Sequence, residues 1–449
     1  DYISAPIHAP SSGVIADIGE YQVPHPSGLK SICIEIETDG QDSCANHQPV
    51  CYPDYQNTDL LTLRNHIRES GIVGLGGAAF PTAVKLNPGH SIETLIINGC
   101  ECEPYITCDD MLMREQASEI VSGIAIMQHM LKSTRCIIGI EDNKPEAIAA
   151  MKAAIDEQQI NAEVESLISI YPTGSEKQLI KLLTGKEVPC DGLPADVGLV
   201  CQNVGTAKAV HDAVIHGQPL IERVITVTGP GISSPGNFLT RVGTGIDELV
   251  EQAGGYQHGV KRLIMGGSMM GFALQTDDIP VIKASNCILA LTETNENTAQ
   301  PCIRCGKCEQ VCPARLLPQQ LYWHAHAKDF DKTQDYHLFD CIECGCCAEV
   351  CPSHIPLVQY YRFAKTEIWN NEREKLSSDI SRERHEFHQQ RLEQAAKEKA
   401  ERMAKKKAAL KKRPKAGNAD DKKSEIEAAL ARVNAKKAAK QAAQENTGD

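Results

Sequence analysis

The sequence has no apolar run approaching the eighteen or more residues that a membrane-crossing helix requires. A signal-like apolar segment is also missing from its start, which is Asp1 rather than Met. Membrane association is therefore expected only through partners, and the chain is expected to lack its natural N-terminus. There is no basic surplus: 46 Lys and Arg face 59 Asp and Glu, a formal net charge of −13. The imbalance is uneven. From Asn371 onward 21 basic residues meet 14 acidic ones, leaving +7, whereas the preceding body holds 25 against 45 and stands near −20. An acidic body argues against general nucleic-acid binding, whose electrostatic term needs clustered Lys and Arg. The small secreted chain in which nineteen cysteines would form a disulfide framework is absent too. This chain is long and groups its thiols at metal spacing, so reduced cytosolic cysteine is expected.

At 449 residues there is room for two or three domains. Residues 1–56 alternate short β-rich pieces with turns (SAPIHAPSSGVIADIG, LKSICIEIETDG) and read as part of a small β domain. Residues 57–217 alternate helix and strand. TDLLTLRNHIRES, MLMREQASEIVSGIAIMQHML, KPEAIAAMKAAID and SEKQLIKLLTG read as helices; TLIING, RCIIGIED and VESLISI read as strands. That order predicts a largely parallel sheet flanked by helices, with ligands at the carboxyl ends of the strands. Residues 218–290 suggest a small α+β domain, with strands at ERVITVTG and VKRLIMGG and a helix near IDELVEQAGG. The cysteine-rich segment falls in 291–370. The tail, 371–449, is rich in Ala, Lys, Glu and Arg and reads as solvated helix or disorder. Contact with anionic lipid or RNA is the other reading of its charge. The fold class is multidomain α/β.

Within the cysteine-rich segment, Cys302, Cys305, Cys308 and Cys312 form CxxCxxCxxxC followed by Pro313; Cys341, Cys344, Cys347 and Cys351 repeat it before Pro352. Thiolates suit soft iron and sulfide, and two such runs ending in CP are the two-cluster ferredoxin pattern, whose fourth cysteine ligates the other cluster. One [4Fe–4S] centre is therefore expected on Cys302, Cys305, Cys308 and Cys351, and a second on Cys341, Cys344, Cys347 and Cys312. Structural zinc also accepts four thiolates, though usually from two separated CxxC knuckles. Cys346 is an extra thiol in the second loop and reads as a bystander.

Clusters carry single electrons, so a pair delivered as hydride needs a splitter, usually a flavin. SGIVGLGGAAFPTAVKL offers a place for one: Gly74, Gly76 and Gly77 leave backbone N–H groups free to approach phosphate or a ring, and Lys85 is placed to neutralise an anion. A simple tight turn is the alternative, since the loop is not the GxGxxG fingerprint after a strand. INGCECEP ends a strand and sets Asn98, Glu101 and Glu103 in a turn stiffened by Pro104. Such carboxylates accept hydrogen bonds from ribose hydroxyls or a carboxamide, or else merely form an exposed acidic turn.

Together these segments resemble the flavin and NADH site of the NADH-binding subunit of respiratory complex I, GRGGAGFPTGLKW followed by NADESEPG. YPTGSEKQL from Tyr171 resembles that family's YICGEETAL, and QNVGT from Gln202 its NNVET. With a β-grasp-like domain and two ferredoxin clusters behind it, the arrangement resembles the C subunit of the Rnf electron-transport complex, called Rsx in enteric bacteria, over nearly the whole chain except the tail. The resemblance implies that Gly74, Gly76, Gly77, Phe80, Asn98 and Asn203 line a noncovalent FMN. Lys85, Glu101, Glu103 and Glu176 would face the nicotinamide cofactor, and a carboxylate near the adenine ribose would favour NADH over NADPH. Cys100 and Cys102 replace an Asp and a Ser of the complex I motif, and Ser175 replaces its first Glu in GEET.

The β segment at residues 1–56 resembles that family's barrel-sandwich domain, with about half of the barrel expected to be missing, and implies a docking module. The family further implies a peripheral subunit on the cytoplasmic face of the bacterial inner membrane. There it would pass electrons from NADH through FMN and two [4Fe–4S] clusters to partner subunits, in a complex coupling NADH and ferredoxin electron transfer to ion movement. No side chain receives an acid–base catalytic role. Two rivals stand beside this: a soluble NADH:acceptor oxidoreductase, and a relay or scaffold subunit with a non-functional flavin site.

Overall fold

A computed structural model describes residues 3–44, 49–190, 192–293, 297–411 and 423–435. Other parts of the chain, including residues 412–422 and 436–449 of the tail, lie outside the described residues. The chain divides into two units, 1–368 and 369–449.

In the first unit, β1 (Gly13–Gln22) and β2 (Lys30–Thr38) pair as an antiparallel hairpin from Gly13 opposite Thr38 to Gln22 opposite Lys30. The α/β layer follows. Asp59 caps α1 (Leu60–Glu69) by accepting the Thr62 N–H at 3.1 Å, satisfying a donor the helix leaves unpaired. Leu63 and Ile67, one turn apart, are fully buried. After the single turn α2 (Thr82–Lys85) come β3 (Thr94–Gly99), α3 (Cys108–Glu115), α4 (Ala117–Leu131), β4 (Arg135–Glu141), α5 (Pro145–Gln158), β5 (Glu163–Leu167), α6 (Glu176–Thr184), β6 (Leu199–Asn203) and α7 (Val204–His211). The four strands form a parallel sheet in the order β5-β4-β3-β6. Leu95, Ile96 and Ile97 of β3 are all fully buried, as a parallel strand covered on both faces requires.

One predicted helix differs. MLMREQASEIVSGIAIMQHML is broken at Gln116, whose φ of −129° leaves the helical region, so α3 and α4 are separate. Helix α4 then packs on α7 so closely that a Cβ on Gly123 would lie 1.8 Å from the Ala207 carbonyl oxygen.

A five-stranded mixed sheet follows, in the order β10-β9-β11-β7-β8, built from β7 (Glu222–Thr228), β8 (Gly236–Arg241), β9 (Arg262–Met265), β10 (Phe272–Leu274) and β11 (Cys287–Leu291). Only β11 and β7 run parallel. Helix α8 (Ile246–Gln252) buries Ile246, Leu249 and Val250 in the core with Ile225, Val227 and Ile288. This is the β-grasp-like arrangement. The cysteine-rich segment is short turns and helices: α9 (Lys307–Gln310), α10 (Pro318–His326), α11 (Phe330–Asp335), α12 (Cys346–Glu349) and the start of α13 (Leu357–Lys411). Leu321, Leu338, Tyr361 and Ala364 are its core.

The second unit is helical through Lys411 and again over 423–435, and its apolar side chains, among them Leu376, Phe387 and Leu392, are exposed. A helix polar on nearly every face has no stripe to bury. Among the described residues, no helix is long and apolar enough to cross a membrane.

Candidate functional site: two cysteine cavities beside a glycine-lined strand edge

The two cysteine runs fold as near copies. Arg304 and Glu343 take φ of +57° and +58°, and Gly306 and Gly345 take +77° and +82° as they enter α9 and α12. Each xCG step thus reverses twice, at its first residue and at the closing glycine, which takes the second reversal without strain, and the first three cysteines of each run line a common cavity. The fourth comes from the other run. Cys302, Cys305, Cys308 and Cys351 line one cavity; Cys341, Cys344, Cys347 and Cys312 line another. Cys346 lines neither.

The polar surroundings fit a charged centre. Leu316 N–H points to Cys312 Sγ at 3.4 Å, and Lys365 donates to the Cys341 carbonyl at 2.7 Å and to Glu343 at 2.8 Å. Burial pushes the Cys341 thiol up to about 11 and Cys344 up to about 12, so neither ionises alone near neutral pH. Iron supplies the positive charge that makes such a group of thiolates tolerable. The donor set, two separate cavities with four sulfurs each, fits two [4Fe–4S] clusters.

The second site lies at the carboxyl edge of the parallel sheet, where the chain leaves β3 and β6 and the glycine loop crosses over. Gly74 N–H donates to Phe80 O at 2.8 Å and closes the loop. Leu75 N–H is held by Thr206 Oγ1 at 2.9 Å, and the Leu75 carbonyl by the buried Arg223 at 3.0 Å. A Cβ on Gly76 would sit 3.5 Å from the Asn203 Cβ, whereas Gly77, at φ +113°, faces open space. Asn203 caps α7 by accepting Gly205 N–H at 2.8 Å and donates to Asp109 at 2.6 Å. Asn98 donates to Gly174 O at 2.8 Å and accepts Cys100 N–H at 3.0 Å, which joins the turn after β3 to the loop after β5.

The carboxylates fall in three places. Glu101 accepts the N–H groups of Asp109 and Asp110 at 2.8 and 3.1 Å, at the open start of α3. Burial first, and then the Asp109 carboxylate beside it, raise its pKa. Glu176 pairs with Lys85 at 2.8 Å, and the same ammonium reaches Cys201 O at 3.2 Å. Glu103 turns to the β-grasp-like layer, where one of its oxygens takes the N–H of Met269 at 2.6 Å and of Met270 at 3.0 Å. Below the turn, the buried pair Lys144 and Glu141, 2.7 Å apart, holds the Glu101 carbonyl through Lys144 at 3.1 Å.

The sequence-expected residues thus group as Gly76 with Asn203, Glu101 with Asn203 through Asp109, Asn98 with the Gly174 loop, and Lys85 with Glu176, while Glu103 is drawn partly aside. Sequence reasoning missed Asp109, Arg223 and Lys144. The signal for Asp109 was the Asp109–Asp110 pair that opens a helix just after the acidic turn. The site fits a flavin on one observation: the loop leaves open space at Gly77 that any side chain would enter.

Tyr171 links the two sites: its hydroxyl donates to the Cys344 carbonyl at 2.6 Å. Gln178 adds a bond to Pro313 O at 3.2 Å, beside Cys312. The centre formed by Cys341, Cys344, Cys347 and Cys312 is thereby tied directly to the strand-edge loops.

Comparison with known proteins agrees with this geometry. Family models match in four stretches: the RnfC barrel sandwich hybrid domain at 1–41, the Nuo51 FMN-binding domain at 67–212, the SLBB domain at 224–273 and the 4Fe-4S dicluster domain at 301–355. The C subunit of the ion-translocating oxidoreductase complex of Yersinia pestis bv. Antiqua is 50% identical over 393 residues, 87% of this chain and 63% of that protein. That of Pseudomonas aeruginosa is 50% identical over 395 residues, 87% of this chain and 50% of that one. The chain thus spans between half and two thirds of the length of these relatives. In fold alone it is similar to an NAD+-reducing [NiFe]-hydrogenase in the H2-reduced state, at TM-score 0.50 and 18% identity, over 69% of this chain and 62% of that chain. With half of its residues shared across most of its length, and with FMN-binding, SLBB and dicluster domains following the RnfC barrel segment in order, the chain belongs to the RnfC family, the C subunits of Rnf ion-translocating oxidoreductase complexes.

Proposed function

We propose that this chain is the electron-input subunit of a membrane-bound ion-translocating oxidoreductase complex, accepting electrons from NADH and passing them to partner subunits from the cytoplasmic face of the inner membrane, where it is peripheral. FMN supplies the conversion of an electron pair into single electrons, and two [4Fe–4S] centres supply one-electron transfer, when they are bound. The protein's part is binding, orientation and electrostatics. Gly74, Gly76, Gly77 and Phe80 form the loop that would hold the flavin, together with Asn98 and Asn203. Lys85, Glu101 and Glu176 would face the nicotinamide cofactor, with Glu103, whose carboxylate is shared with Met269, Met270 and Tyr171, beside them. Glu176 disfavours a 2′-phosphate by like-charge repulsion, which selects NADH.

The division of labour along the chain follows: 1–56 for docking, 57–217 for FMN and NADH, 218–290 for bracing, 291–370 for the clusters and 371–449 as a solvated extension. A coupled reaction with ferredoxin through the assembled complex is consistent with this. Plant-type ferredoxins lie near −400 mV, so reducing one from NADH needs an ion gradient.

The observation that carries the reading is the Tyr171 bond to the Cys344 carbonyl, which fastens the nucleotide side of the strand edge to the loop of the nearer cysteine cavity. The test is anaerobic purification of the full chain with iron, sulfide and flavin assays, followed by comparison of NADH with NADPH. About eight irons, four per centre, one FMN and a response to NADH alone are expected. About eight irons without flavin after FMN reconstitution would make the chain a relay. Full turnover with a soluble acceptor and no recovery with membranes would favour the free-standing oxidoreductase.

A further inference from the structure

We propose that Cys190, His337 and Asp340 form a zinc site that ties the loop after α6 to the turn entering the second cysteine run. The three donors lie within 4.8 Å of one another. Cys190 Sγ is 3.9 Å from His337 Nδ1, and Asp340 Oδ2 contacts the same sulfur. A tetrahedral zinc with Zn–S near 2.3 Å and Zn–N near 2.0 Å holds such a pair about 3.6 Å apart. Thiolate, imidazole and carboxylate are the donor classes that zinc accepts, and three protein ligands leave a fourth position for water.

The surroundings support a built site. Lys177 Nζ stands 3.6 Å from Asp340 Oδ1, which steadies the oxygen turned away from the trio. His337 takes φ +58°, an uncommon conformation for a residue with a side chain, at the start of the single turn Leu338–Asp340. Cys190 and His337 are exposed, so an ion has a path from solvent. None of the three residues lines either cysteine cavity. Cys190 is 147 and 150 positions from its two partners in sequence, which is why no spacing motif announces them.

On binding, the Cys190 thiol gives its proton to solvent and its thiolate, neutral His337 and the Asp340 carboxylate coordinate the ion. The link would fix α6, with Glu176 and Lys177 at its start, against Cys341. It does not depend on whether flavin binds.

The test uses the full untagged chain, purified anaerobically with both clusters, incubated with one equivalent of zinc sulfate and desalted. Wild type should keep about one zinc per chain, with an X-ray absorption shell of one sulfur near 2.3 Å and nitrogen or oxygen near 2.0 Å. Cys190→Ser, on a segment that supplies no cluster ligand, and His337→Gln should each lose that zinc while iron stays unchanged. Zinc retained equally in wild type and both variants, no zinc retained by wild type, or a four-sulfur shell marking zinc misplaced in a cluster loop would each overturn the proposal. If His337→Gln also loses iron, Cys190→Ser alone decides.

Discussion

The cysteine-rich segment and the strand edge beside it solve the same problem, holding a redox group, by opposite means. Each cysteine loop is made by seven consecutive residues, with the same two positive-φ positions repeated 39 residues apart at Gly306 and Gly345. The strand edge is assembled from residues that share no local pattern: Asn203 meets Asp109 across 94 positions and Thr206 meets Leu75 across 131. Local construction leaves a mark in spacing; distributed construction leaves it in tertiary contacts. It follows that damage to the first should act all or none on its centre, while damage to the second should be graded.

The largest expected effect breaks the pairing between runs. Cys312→Ala should remove about four irons from the centre that also uses Cys341, Cys344 and Cys347, and Cys351→Ala about four from the other, read by iron assay and electron paramagnetic resonance. If Cys312→Ala and Cys308→Ala abolished the same signal, each run would hold its own cluster. Next comes Lys144→Ala, which leaves Glu141 buried and unpaired and should cost about 3–5 kcal/mol in denaturant unfolding, with flavin lost before iron. A cost below about 1 kcal/mol would show that water reaches Glu141.

Gly77→Ala should be graded. The added Cβ meets no protein atom but enters the space assigned to the flavin, so FMN affinity should fall roughly tenfold with iron unchanged, while φ +113° separately costs the fold about 1–3 kcal/mol. Glu101→Gln sharpens the contrast through pH. Because burial and Asp109 raise the Glu101 pKa in the folded chain, the native state binds more protons than the unfolded one between the ordinary carboxylate range and the raised value. Stability therefore falls as pH rises through that window, and the Gln variant should flatten the fall, gaining melting temperature at pH 8 and little at pH 4. The smallest effect belongs to Lys85→Met. Its pair with Glu176 is about one third exposed on each side and contributes about 0–1 kcal/mol to stability, so the change should appear in NADH affinity.

The same contrast explains what the sequence disclosed. Strands β3 and β4 and helix α5 were legible because their apolar residues run continuously or at helical period, which tertiary contacts only reinforce. The grouping of glycine loop, acidic turn and Asn203 followed from resemblance rather than from periodicity. The break at Gln116 was hidden inside an unbroken helix-forming stretch. The partial diversion of Glu103 to Met269 and Met270, 166 and 167 positions away, had no local signal. Lys144 and Arg223 carry no local signal either; the folded chain buries Lys144 against Glu141 and Arg223 against the Leu75 carbonyl.

The most direct test is stopped-flow mixing of NADH with the anaerobic full chain carrying FMN and about eight irons, in wild type and Cys312→Ala. The account predicts flavin bleaching followed by cluster bleaching in wild type, and flavin bleaching with stalled transfer in the variant, because the centre tied to Tyr171 is the first to receive electrons. Cluster bleaching at the wild-type rate in Cys312→Ala, or no flavin response to NADH in wild type, would contradict it.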